Sequence, residues 1–356
     1  MKLLPRRDLI SVALAITCII LPGSPAAAQE VIRTQTELVN LNVVVRDREG
    51  RRISGLRQED FEVFEDGARQ EITHFSADER PLRLVLVFDL SLSMEAALPT
   101  VKQGAFTLLG SLRPDDEVSI VSFASDVWAL SDWIKKEQAR DIIKNLEAEP
   151  HLQPVTPTVF HPGYRVGDVN TFLYEAFQHV FNHFKDKDDR IAVIMFSDGV
   201  DTGAGRAVPN IQKRVDDIGK EVMRQAVESW GIVYPIRYKT EQIIGDLPAA
   251  ASRPFPNVIH IGSAPKDPGR GLFAKIAAAS GGEIFDWTNR ADLLLAVGNV
   301  LADLRSQYSL GYRPPLQNEG VFRRLKVRVK RPNLTVRTRE GYIYRQPGRP
   351  RRATSS

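Results

Sequence analysis

The chain has 356 residues, of which 26% are charged, and a formal net charge of +4 at pH 7; that length predicts about two domains rather than one small module. Its single cysteine, Cys18, excludes a disulfide framework and any zinc site built on cysteines. The charge is unevenly placed, because residues 321–356 hold twelve Lys or Arg against the one acid Glu340, which suits that end of the chain to a polyanionic surface.

Residues 1–28 read as a secretory signal peptide. Lys2, Arg6 and Arg7 precede an apolar run from Leu9 to Leu21, and Ala26, Ala27 and Ala28 offer a small-residue cut before Gln29. Arg6-Arg7 also resembles a twin-arginine export signal. The run is shorter than the ~20 residues of a spanning helix and no later stretch approaches that length. The sequence therefore predicts an exported protein, periplasmic or extracellular, with no mature transmembrane helix.

Residues 29–80 form an N-terminal β segment. A strand runs from Glu37 to Arg46, and short strands at 61–67 and 70–75 flank a turn at Asp66-Gly67. From residue 81 to 307 strands alternate with helical stretches. Apolar strands at 82–88, 117–123, 191–196 and 232–238 are separated by helices at 97–112, 136–147, 171–184 and 209–230, and helices at 271–282 and 290–307 bracket a short strand ending at Trp287. This alternation predicts an α/β domain with a doubly wound, mostly parallel, Rossmann-like sheet.

Residues 308–345 return to β character, and the polar tail 346–356 is predicted to be disordered. Neither β segment holds enough strands to stand alone. Together they predict a small β-sandwich, formed by the N- and C-terminal segments, into which the α/β domain is inserted.

The chemistry gathers where apolar strands end. Leu84 to Phe88 are uninterrupted apolar residues, and Asp89, Ser91 and Ser93 follow at alternate positions. A second buried strand ends in Phe196-Ser197-Asp198-Gly199, and Thr171 stands at a helix start ahead of that strand. Thr156 and Thr158 are rivals for the threonine, although both lie beside prolines. In a doubly wound sheet such loops converge on one edge. Oxygen donors without nitrogen or sulfur describe a site for a hard cation.

Asp89-Leu90-Ser91-Leu92-Ser93, Thr171 and Asp198 resemble the metal-ion-dependent adhesion site of a von Willebrand factor type A domain. The resemblance implies that Ser91, Ser93 and Thr171 touch a metal, that Asp89 and Asp198 act directly or through water, and that a partner protein completes the shell with an Asp or Glu. It implies Mg²⁺, with Mn²⁺ or Ca²⁺ as alternatives. The family has glycine between the two serines where this chain has Leu92, and a loop that required glycine there would have to deviate. The flanking segments resemble those of exported type A-related proteins of Acidobacteria.

The implied function is an exported, metal-dependent protein-binding module for adhesion or assembly, not an enzyme. The alternative is a metal-free structural scaffold of the cell envelope with a degenerate site. The loop at 151–170, with Phe160, His161, Tyr164 and Arg165, is long enough to be a partner-contact surface.

Other signals carry less. His179 and His183 are spaced i, i+4, but no Glu follows His179 as a zinc-protease helix requires. Asp186, Asp188 and Asp189 read as a solvated turn. The stretch from Phe322 to Pro332 alternates Leu325, Val327 and Val329 with Arg324, Lys326, Arg328 and Lys330. It reads either as a strand whose charges resist edge pairing or as a contact for an anionic envelope surface; nucleic acid is not expected for an exported chain.

Overall fold

Apolar residues at every second position, Val39, Leu41, Val43 and Val45, build β1 (Val39–Arg46). Then come β2 (Phe61–Glu65), β3 (Ala68–Gln70) and β4 (His74–Ala77). The α/β part follows: β5 (Leu82–Asp89), α1 (Leu98–Gly110), β6 (Glu117–Phe123), β7 (Val127–Ile134), α2 (Lys136–Lys144), α3 (Leu173–His183), β8 (Arg190–Ser197), α4 (Ile211–Glu228), β9 (Ile232–Tyr238), α5 (Pro268–Ser280), β10 (Phe285–Trp287) and α6 (Arg290–Arg305). The last strands are β11 (Tyr308–Tyr312), β12 (Phe322–Val329), β13 (Thr335–Arg337) and β14 (Gly341–Ile343). This computed structural model describes residues 38–77, 80–148, 172–183, 190–200, 211–239, 268–315 and 318–344, all in one unit, Thr36–Ser356. The leader 1–28 and the tail 346–356 lie outside them.

Six strands form the central sheet in the order β10-β9-β8-β5-β6-β7. Pairings are parallel except for β7, which runs antiparallel to β6. Both faces are covered, and strand parity decides which side chain meets which helix. On β5, Leu84, Leu86 and Phe88 pack with α1, α2 and α6, whereas Val85 and Val87 pack with α3, α4 and α5. The same split runs through β8, with Ala192, Ile194 and Phe196 on one face and Ile191, Val193 and Met195 on the other. Burial on two faces is why these strands are apolar throughout rather than alternating.

The remaining strands make two four-stranded sheets, β13-β1-β11-β4 and β14-β12-β2-β3. Each mixes strands from the two ends of the chain: β1 pairs with β11 and β13, and β12 pairs with β2. Their inner faces share one core of Leu41, Val43, Phe61, Val63, Tyr308, Leu310, Leu325 and Val327. One expected strand is divided. Residues 71–73 are not strand; β3 pairs with β2 and β4 pairs with β11, so the chain changes sheets between them.

The cationic residues of β12 stand outward, with Arg324, Lys326 and Arg328 exposed while Leu325 and Val327 are buried. β12 is not an outermost strand, since it lies between β14 and β2. β14 pairs with Phe322–Arg324 and β2 with Leu325–Val329, so Lys326 and Arg328 lie in the stretch paired with β2, beyond the end of β14. Among the described residues no helix is long and apolar enough to cross a membrane.

Candidate metal centre

The strand order turns around at β5. From β5 the chain passes through α1 to β6 on one side, while β8 pairs on the other side and leads outward to β9. Open α/β sheets bind ligands at such a switch point, beyond the carboxyl ends of the strands. Asp89 ends β5 and Asp198 follows β8, so both carboxylates lie at that crevice, and both are buried.

Hydrogen bonds join the two strand ends. Phe88 pairs with Phe196, which sets Asp89 beside Ser197. The Ser197 hydroxyl donates to Asp89 Oδ2 at 2.6 Å and accepts the Gly199 N–H at 2.9 Å. The Ser91 N–H donates to Asp89 Oδ1 at 3.0 Å, closing a small ring that turns the chain out of the strand. The Ser91 and Ser93 hydroxyls lie 3.1 Å apart, and the Ser93 hydroxyl bonds the Asp198 carboxylate. The Val200 N–H donates to Asp198 Oδ1 at 2.9 Å. Asp89, Ser91, Ser93 and Asp198 thus form one network, to which Ser197 belongs as well.

Two carboxylates in one buried place disfavour their own charge. Burial, and then the Asp198 charge, push the Asp89 carboxyl up to about 7. Asp198 is also raised, by burial, against the opposing pull of its hydrogen bonds and of Arg237. Arg237 is itself held by Asp286, with Nε 2.7 Å from Oδ1. A cation at this point would remove the mutual repulsion, and the donors are all oxygens, so the residues fit a hard divalent ion. Among the described residues no group of three or more His, Cys, Asp or Glu side chains could hold a metal. The cluster here combines two carboxylates with hydroxyls instead.

Leu92 does not strain the loop. It begins a 3-10 turn, Leu92–Met94, and among the described residues the non-glycine positions with positive φ are Asp66 and Asn333. The left-handed conformation falls on Gly199 instead, at φ 82°. The Leu92 side chain stands 42% exposed, which explains why a large residue is accommodated between two serines.

Thr171, Thr156, Thr158, Phe160, His161, Tyr164 and Arg165 lie outside the described residues. Phe172, the residue after Thr171, is buried, and its N–H donates to the Ala124 carbonyl at 3.0 Å. The Leu90 N–H donates to the neighbouring Phe123 carbonyl at 2.8 Å, so the start of α3 and the loop after β5 are tied to the same corner. His179 and His183 stack with ring centroids 5.7 Å apart, and His183 Nε2 lies 3.2 Å from Asp132 Oδ1.

Ser197 and Arg237 are the residues that motif reading missed. Ser197 could have been found from strand parity, since it continues the Val193–Met195 face and pairing sets it beside Asp89. Arg237 had no such signal.

No curated protein sequence matches the chain. Among solved structures, the chain is similar to BatB from Bacteroides thetaiotaomicron at 16% identity and a TM-score of 0.40, covering 62% of this chain and 98% of that one. It is similar to proximal thread matrix protein 1 of the mussel byssus, solved with a zinc-occupied adhesion motif, at 14% identity and a TM-score of 0.40, covering 68% of this chain and 50% of that one. A von Willebrand factor type A protein from Catenulispora acidiphila matches at 10% identity and a TM-score of 0.43, covering 87% of this chain and 75% of that one. The segment that carries the serine loop and both carboxylates, residues 84–201, is matched by the family model of the von Willebrand factor type A domain.

Proposed function

We propose that Asp89, Ser91, Ser93, Thr171 and Asp198 hold a divalent hard cation, Mg²⁺ with Mn²⁺ or Ca²⁺ as alternatives, and that the protein uses it to capture an Asp or Glu of a partner protein. Type A domains often bind a divalent metal at such a site, in adhesion or assembly. The observation that carries the reading is the joining of two buried carboxylates and two serine hydroxyls at the switch point of the sheet. When bound, a cation held largely by neutral hydroxyls keeps residual positive charge for an incoming carboxylate.

The chain's own groups orient the donors. Ser197 and the Ser91 N–H fix both oxygens of Asp89, and the Val200 N–H fixes Asp198. The site then meets a partner with little reorganisation. The scaffold reading drew on Leu92, and its ordinary backbone takes that support away. Export to the periplasm or beyond is part of the same proposal. The exposed Arg324, Lys326 and Arg328 support a second contact, with an anionic envelope surface.

Thermal unfolding with and without Mg²⁺ tests the metal. A ligand at 100 times its Kd stabilises by about 2.7 kcal/mol, so the wild-type Tm should rise with Mg²⁺ and return with chelator. Asp89→Ala should fold and show no such shift. An equal Mg²⁺ shift in that variant would place the ion elsewhere.

A further inference from the structure

Resting on the reading that the Asp89–Asp198 site takes a partner's carboxylate, we propose that Leu92 and Val200 form an apolar rim selecting a polypeptide whose Asp or Glu is flanked by apolar side chains. Five large hydrophobic residues are exposed among the described residues: Leu92, Val200, Leu295, Val321 and Phe322. Two of the five stand on the two loops that carry the candidate site. Leu92 is 42% exposed and Val200 46%.

Single exposed apolar residues are ordinary on a protein surface. These two differ in standing on the two loops whose side chains make one oxygen cluster, Leu92 between Ser91 and Ser93 and Val200 two residues after Asp198. Leu92 separates the two serines whose hydroxyls lie 3.1 Å apart, and its carbonyl accepts the Glu95 N–H at 3.2 Å, holding the turn. Val200 is held by its own N–H bond to Asp198 Oδ1 at 2.9 Å. Both side chains are therefore presented from backbone already ordered, so covering them costs little further entropy. Covering them removes apolar surface from water and excludes water from the place where the carboxylate docks, which strengthens that charge interaction. A polypeptide carrying apolar residues beside its carboxylate meets both requirements; a carboxylate among polar neighbours meets one. Leu92 is in this view a contact residue, and its place between the serines follows from the contact.

The full-length protein is passed over surfaces bearing three immobilised capped tripeptides, acetyl-Leu-Asp-Leu, acetyl-Gly-Asp-Gly and acetyl-Leu-Asn-Leu, in Mg²⁺ and in chelator. In Mg²⁺ the Leu-Asp-Leu surface should retain it about tenfold more strongly than Gly-Asp-Gly, and the Asn surface and all chelator runs should retain none. Leu92→Gln and Val200→Thr, singly and together, should bring that ratio towards one while leaving the Mg²⁺ shift in Tm unchanged. Equal retention on the two Asp surfaces by a wild type that shows the Mg²⁺ shift overturns the rim and spares the metal reading. Retention on neither Asp surface also overturns the rim, and a missing Mg²⁺ shift overturns both readings.

Discussion

Ser197 shows how much of the candidate site depends on one residue outside the motif. Its hydroxyl gives its proton to Asp89 Oδ2 and receives the Gly199 N–H, and the residue is fully buried. Ser197→Ala leaves a buried N–H unpaired, which costs about 1–3 kcal/mol, and it frees one oxygen of Asp89. Urea unfolding should show that loss. The Mg²⁺ midpoint, read from the shift in Tm, should weaken by about tenfold, as for other groups that orient a metal ligand. An unchanged midpoint would mean that Asp89 is positioned without Ser197. Asp89, Ser91, Ser93 and Asp198 were legible because each breaks an apolar run at a strand end. Ser197 was hidden because one polar residue closing a strand looks like the strand's ordinary end. The fit of Leu92 was not legible for a related reason: sequence gives the residue type at a loop position, whereas the need for glycine depends on φ.

At the scale of elements, the end of α5 shows which positions the fold cannot alter. The Gly281 N–H bonds the Ala278 carbonyl at 3.2 Å and the Gly282 N–H bonds the Ala277 carbonyl at 2.8 Å, with Gly281 at φ 85°. This is the paired capping pattern that ends a helix on a left-handed glycine. Gly282 then passes so near β9 that an added Cβ would lie 1.8 Å from the Val233 carbonyl oxygen. Gly282→Ala must push α5 off the sheet, and we expect a loss of about 3 kcal/mol or more. Gly298, in the middle of α6, has no atom within 4 Å of an added Cβ. There Gly→Ala should stabilise by about 0.5–1 kcal/mol. Calorimetry of the two variants should give Tm shifts of opposite sign, and the same sign for both would contradict this packing. The helices and parallel strands were readable from apolar periodicity. The change of sheet at residues 71–73 was not, because the tertiary partners β2 and β11, rather than local propensity, decide where each strand stops.

At the scale of the molecule, charge joins the sandwich to the α/β layer. Asp303, near the end of α6, is 0% exposed. Arg46 Nη2 lies 2.9 Å and Arg52 Nε 2.9 Å from its carboxylate, and Arg337 bonds it too. Arg46, at 2.7 Å, and Arg337 also hold Glu283. Arg52 further reaches the side chain and carbonyl of Asn299, at 3.0 Å and 2.9 Å. The arginines come from the sandwich segments and the acids from the α/β part, an arrangement that motif reading passed over because Arg46 and Arg52 lie more than 200 residues from the acids and Arg337 lies 34 residues beyond Asp303. Asp303→Asn keeps the shape but leaves Arg46 and Arg337 with Glu283 as their acid and Arg52 with the neutral Asn299. Breaking one partner out of a buried ion cluster costs about 3–5 kcal/mol, so the variant should unfold at lower denaturant. The pH dependence identifies the cause. Burial alone would raise the Asp303 carboxyl, but Arg337 and Arg46 outweigh it and hold it below the usual carboxylate range. In the unfolded chain an Asp takes up its proton near pH ~3.9, before the folded carboxylate does. The stabilisation from Asp303 is therefore fully present above that pH and is lost as pH falls through the lower folded value. Wild type and Asp303→Asn should differ most at neutral pH, and the gap should close below about pH 4. A gap that stays constant from pH 7 to pH 2.5 would assign the effect of the variant to packing, not to charge.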